Sequence, residues 1–287
     1  MKRLIISSLS LLLLLTACEM LVPLTDGKPV SGGELVVEGW IDEGGCPVVS
    51  VTTTLIRPDE PREVRDLLGL LVRDAEVVVS DGGTSCTLKG RFTNDFFPPY
   101  VYTGDGIVGE AGRTYTLTVR HGEMTATAAT TIPPKTELDG LEVIETEDGV
   151  QRIYAEFTAV PGRCYGFFSK GSEDEYGYTP VFLGFINGSR TSGPQTVSIT
   201  RGSGLTSLKD YKPGYESGET VSVRFCTMDY ETWHFWEVFE QLTGVSYIMT
   251  YPTSFENLPS NVEGAYGYWA GYGTVTREVT LPGEKEE

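Results

Sequence analysis

Gly112–Ile132 reads GRTYTLTVRHGEMTATAATTI. Tyr115, Leu117 and Val119 alternate with Thr116, Thr118 and Arg120. That two-residue period is the mark of a strand with one face buried. His121-Gly122-Glu123 is a turn, and Met124 to Ile132 reads as the returning strand. The same pattern extends upstream. Leu35 to Ile41 (LVVEGWI) is β-branched and aromatic, Asp42-Glu43-Gly44-Gly45 turns, and Pro47 to Ile56 returns. Ala75–Ser80 and Ser85–Leu88 flank Asp81-Gly82-Gly83 as a hairpin. Arg57–Leu71 and Asn94–Pro99 read as loops, and Val101–Val108 as a further extended segment. About seven short strands in about 100 residues predict an immunoglobulin-like β-sandwich over 34–134. Pro133-Pro134 then stiffens the chain and breaks sheet pairing.

The remainder, 135–287, reads as a β-rich domain. Strands are expected at Leu138–Glu145, Gln151–Val160, Gly162–Ser169, Val181–Ile186 and Glu219–Met228. Gly188–Gln195 and Thr206–Gly218 read as loops. One helix is expected near 230–243, because Phe235, Val238, Phe239 and Leu242 recur at helical spacing. Asp229 is placed to cap its start and Gly244 its end. Tyr266–Thr274 (YGYWAGYGT) is a Gly/aromatic segment, and Val275–Leu281 a last strand. The fold class is therefore mainly β, two units with one clear α-helix.

The N-terminus gives an address. Lys2 and Arg3 precede an apolar run from Ile5 to Leu15, and Leu15-Thr16-Ala17-Cys18 matches a lipobox. The run is shorter than the roughly 20 residues of a membrane-spanning helix. Residues 1–17 are expected to be a lipoprotein signal peptide, Cys18 to carry acyl chains, and 18–33 to form a tether. Removing Lys2 and Arg3 takes the net charge of −18 to about −20. That charge argues against nucleic acid, which needs Lys and Arg to neutralise phosphates. The other cysteines are Cys46, Cys86, Cys164 and Cys226. An even number in an exported chain predicts two disulfides. Three pairings are open, and Cys46–Cys86 with Cys164–Cys226 keeps each bridge inside one unit.

Little points to catalysis. His121 and His234 are the two histidines, and no GxSxG elbow occurs. A carboxylate-pair glycoside hydrolase needs no histidine, but 40 acidic residues give no way to choose a pair. Glu173-Asp174-Glu175 lacks the alternating ligand loop of a Ca²⁺ site. No metal or cofactor is expected, and no enzyme. The aromatic clusters carry more signal. Trp233 and Trp236 neighbour each other on the helix, and Tyr268 and Trp269 lie in the Gly-rich segment. If exposed, they would suit a protein partner or a glycan; otherwise they form a core joining helix to last strand.

The order of these features resembles a family of Bacteroidota envelope lipoproteins, domain of unknown function 4249. The resemblance rests on the lipobox at Cys18, Leu35-Val36-Val37-Glu38-Gly39, Val77-Val78-Val79-Ser80-Asp81, Gly112–Leu117 and Thr131-Ile132-Pro133-Pro134. In the second half it rests on Phe235-Trp236 with Gln241, Pro259-Ser260-Asn261-Val262 and Gly267-Tyr268-Trp269. It implies an outer-membrane lipid anchor and an accessory role beside a TonB-dependent receptor. Apart from the resemblance, a glycan or peptide is the expected ligand. No catalytic residues are implied. A fimbrillin-like structural subunit is the alternative. Only Glu19 follows Cys18 before Met20-Leu21-Val22-Pro23, so the acidic cluster typical of surface display is missing and the membrane face stays open.

Overall fold

A computed structural model describes residues 33–54, 68–96, 98–146, 150–174, 177–202, 212–243 and 257–283. The expected signal peptide, Cys18, the tether up to residue 32, most of the 57–71 loop, Glu175 and the expected cap Gly244 lie outside these residues.

The protein is mainly β. Its longest sheet has eight strands. In spatial order they are β12 (Thr179–Ile186), β11 (Cys164–Gly171), β14 (Thr220–Met228), β15 (Tyr266–Thr280), β1 (Leu35–Asp42), β2 (Val48–Thr53), β6 (Tyr100–Thr103) and β5 (Lys89–Phe92). A four-stranded sheet, β4 (Ser85–Thr87), β3 (Glu76–Ser80), β7 (Thr114–His121) and β8 (Met124–Thr131), belongs to the first half. A three-stranded sheet, β13 (Gly193–Ile199), β10 (Gln151–Ala159) and β9 (Leu138–Glu145), belongs to the second.

Side-chain alternation assigns the faces. Leu35, Val37 and Ile41 of β1 share a core with Val77 and Val79 of β3 and Tyr115, Leu117 and Val119 of β7. That is the immunoglobulin-like sandwich. Tyr165, Phe167, Val223 and Phe225 of β11 and β14 share a second core with Ile153, Ala155 and Phe157 of β10. The rings interlock there, with Phe157 and Phe167 4.7 and 4.6 Å from Phe225.

β15 belongs to both sandwiches. Residues 266–272 run parallel to β1, in register from Val36↔Tyr266 to Asp42↔Tyr272. Residues 273–280 run antiparallel to β14, from Thr227↔Gly273 to Thr220↔Thr280. Trp269 enters the first core, and Val275 and Val279 flank the second. The Gly/aromatic segment and the last strand are thus one strand. Its glycines give the reason. A Cβ on Gly271 would lie 3.0 Å from the Thr131 carbonyl, and one on Gly273 2.4 Å from the Pro133 oxygen. The linker between the halves crosses β15 where it has no side chains.

β5 and β13 have no counterpart in the sequence reading. Both are edge strands. β5 is exposed at all its positions, so no apolar period marks it. β13 opens with Gly193-Pro194, and proline is tolerated on an edge because no neighbour needs its missing N–H.

Candidate functional site

The outer face of the long sheet, opposite the two β-partners, carries a third cluster covered by helix α1 (Tyr230–Thr243). Asp229 Oδ1 accepts the Thr232 N–H at 2.7 Å, the expected N-cap. The buried stripe differs from the expected one. Thr232, Trp233, Phe235 and Val238 are buried, whereas Leu242 is exposed. The helix is rotated toward its tryptophans because aromatic side chains of β15 rise beneath it. Phe235 lies 4.5 Å from the Tyr268 ring. Trp236 stacks on Phe185 at 5.4 Å, and its indole N–H donates to the Tyr272 hydroxyl at 2.8 Å.

Alternation along β15 separates the four aromatics expected to meet a partner. Tyr268 and Tyr272 point toward the helix with Ala270. Trp269 points the other way and is fully buried, its indole N–H donating to the Tyr115 carbonyl at 3.0 Å. Asn261 holds its backbone from both sides at 2.8 Å. Trp269 is therefore core and offers no contact surface. Trp233 is buried beneath the first turn, 5.4 Å from Tyr230. Trp236 and Tyr268 remain, and both line a cavity.

That cavity, of about 230 Å³, lies between α1 and the sheet. Trp40, Phe96, Trp236, Phe239 and Tyr268 give it ring-lined walls, and Glu38 stands among them. A second cavity of about 520 Å³ shares Trp40, Phe96, Tyr178 and Arg224 with the first. Its walls are more polar, with Asp42, Arg91, Lys170 and Thr274.

Two charged groups face the aromatic cavity, in opposite circumstances. Arg224 is neutralised: its Nη2 donates to Asp42 Oδ1 at 2.5 Å, and Thr274 Oγ1 donates to the same oxygen at 2.9 Å. Tyr272, Phe168 and Trp40 surround the guanidinium carbon at 5.3, 5.5 and 5.8 Å. Burial opposes the Arg224 charge, but Cys226 and Asp42 beside it prevail and raise its pKa. Glu38 has no hydrogen bond or ion pair among the described residues. It is exposed by area, yet it stands in the cavity wall. The crowding of protein around it removes hydration and raises its carboxyl pKa above the usual range. In the sequence Glu38 stands only as part of the first strand and of the Leu35–Gly39 motif, with no binding role. Its even position, shared with Trp40, was the available signal.

The other sequence candidates do not line the aromatic cavity. Cys46, Cys86, Cys164 and Cys226 are free thiols, so neither expected disulfide is formed. Gly166 pairs with Cys226 and Cys164 with Met228, leaving the two cysteines diagonal across neighbouring strands. Diagonal neighbours sit about 7–8 Å apart, beyond the usual Cα spacing of a disulfide. Cys86 is half-buried with its sulfur over Gly104 and Gly106, while Cys46 is exposed on the wall of the second cavity. His121 lies 3.2 Å from Asp74, and His234 3.6 Å from Glu237 on the helix. Asp174 of the acidic loop pairs with Arg201, which also meets both oxygens of Glu219. Among the described residues no group of three His, Cys, Asp or Glu side chains is placed to hold a metal ion, and no helix is long and apolar enough to cross a membrane.

The profile described as "Domain of unknown function (DUF4249)" matches residues 23–278. No curated protein matches the chain. Two solved chains titled "Cytokine receptor complex", crystal forms 1A and 2, share 12% and 13% identity with it. Each match covers 68% of this chain and 85% or 92% of the other, at a TM-score of 0.24. A likeness so slight has no bearing on fold or function.

Proposed function

This chain belongs to the DUF4249 family, and we propose that it is a lipid-anchored protein of a Bacteroidota outer membrane, serving a TonB-dependent uptake system by binding rather than by catalysis. The lipobox ending at Cys18 supports the anchor. The observation that carries the binding role is the aromatic cavity under α1. Ligand sites are concave, mostly apolar, and have a few placed polar groups. Here the ring walls supply the first feature and Glu38 with the Asp42–Arg224 pair the second. The second cavity gives the same cleft a polar extension.

Two measurements test this reading. Cys18→Ser should release the protein from the outer-membrane fraction and abolish labelling by a fatty-acid probe. Capture from solubilised outer membranes should recover a TonB-dependent receptor with the wild-type lipoprotein. Persistence of the Cys18→Ser protein in that fraction would refute the anchor. Hydrolysis of a polymer by the purified protein, or its assembly into fibres, would replace the binding role with an enzymatic or structural one.

A further inference from the structure

The aromatic cavity has an unbalanced charge. Arg224 and Asp42 cancel at 2.5 Å. Among the described residues Glu38 has no charged partner; it is in register with Tyr268 on one side and Ser50 on the other. Ser50 does not relieve it, for among the described residues its buried hydroxyl has no hydrogen-bond partner. The remaining wall is π surface, whose negative faces attract cations. A carboxylate and ring faces around one space make a receptor for positive charge.

The alternatives fit less well. An anion would meet Glu38, and the cation within reach is already bound to Asp42. A sugar needs many hydrogen-bonding groups, whereas most of this wall is aromatic ring. Size narrows the choice further. A cavity of about 150 Å³ takes a benzene ring, so about 230 Å³ takes one ring with a short chain. The net charge of −18 draws cations toward the protein from a distance.

We propose that Glu38, with the rings of Trp40, Phe96, Trp236, Phe239 and Tyr268, binds an organic ammonium ion whose apolar body is the size of a single ring. This proposal rests on the binding role above and names the ligand class for the same cavity.

Calorimetry on the mature protein at neutral pH tests it with three probes of similar size: 2-phenylethylammonium, 2-phenylethanol and 3-phenylpropanoate. The ammonium should bind at least about tenfold more tightly than the alcohol, as expected for a charge-assisted contact, and the anion should not bind. Glu38→Gln should abolish the preference for the ammonium over the alcohol. Equal binding of ammonium and alcohol, or binding of the anion, would overturn the cation assignment but leave a ligand cavity in place. Binding of none of the three would also overturn it. The uptake role would then stand or fall on receptor capture alone. The anion comparison uses the wild-type protein, so the assignment stays testable if the variant folds poorly.

Discussion

The Trp236 indole N–H donates to the Tyr272 hydroxyl at 2.8 Å, and this bond fastens α1 to the strand that both sandwiches share. Tyr272 is buried, so losing the donor strands its oxygen in a water-poor site. Trp236→Phe should cost about 1–3 kcal/mol, the penalty of an unsatisfied buried group. Tyr272→Phe should cost less when made on top of it than when made alone. Trp236→Ala should cost about 3–5 kcal/mol, because it also opens a cavity against Phe168 and Phe185. Urea denaturation of the four variants measures all of these.

Gly273 has no room for a methyl group. A Cβ there would sit 2.4 Å from the Pro133 oxygen and 2.6 Å from the Lys135 nitrogen. These are backbone atoms, which cannot turn aside as a side chain does. Gly273→Ala should therefore destabilise by about 1–3 kcal/mol or more. Gly69→Ala, with nothing within 4 Å, is the matched control and should change stability little. A thermal melt of the two proteins decides the matter; equal midpoints would mean that the linker does not rest on β15.

How much of this was readable beforehand depended on what each residue buries. Tyr115, Leu117 and Val119 alternate cleanly because one face of β7 is core and the other meets water. Tyr266–Thr280 hides the same period. Its helix-facing positions are aromatic, but positions 271 and 273 on the opposite face carry no side chain where the linker passes. A strand written in glycines reads as a loop. The helix was found, but its orientation was not, since Leu242 is as apolar as Trp233 and nothing local says that Tyr268 and Tyr272 lie beneath. Glu38 is one acid among 40 in the sequence. Its register with Tyr268 and its place in the cavity wall distinguish it.

Glu38 also predicts a pH effect on stability. Its folded carboxyl pKa is raised by loss of hydration. Between the ordinary carboxylate pKa and the raised one, the folded chain holds more proton than the unfolded chain. Stability contributed by this group therefore falls as pH rises through that window, and the penalty is constant above it. Glu38→Gln should melt higher than wild type at neutral pH, with the gap closing as pH drops below the ordinary carboxylate range. Melting curves from about pH 3 to 8 would show it. A Gln variant less stable than wild type at neutral pH would mean that the carboxylate has a partner that stabilises its charge.

The thiols should divide by burial. Cys46 is exposed, whereas Cys164 and Cys226 are buried on the helix-covered face. Burial pushes the Cys226 thiol up to about 11 and also raises that of Cys164. An aromatic disulfide reagent at neutral pH should titrate Cys46 in the native protein, and Cys164 and Cys226 only after unfolding. A peptide containing Cys164 joined to Cys226 would show that β11 and β14 shift from their present register.

The parallel pairing of β1 with β15 carries a consequence for how the chain is made. Val36 and Tyr266 are register partners, so the first of the described strands to leave the ribosome waits for the last. On the export proposed above, β1 would also cross the inner membrane well before β15. Until Tyr266–Thr280 arrives, the inner edge of β1 is an open template, the kind of edge that recruits foreign strands. Long-range closure of this type is slow and leaves chains exposed to aggregation meanwhile. A holding chaperone would find its natural client in that interval, and a message truncated before residue 266 would yield a protein unable to close either sandwich.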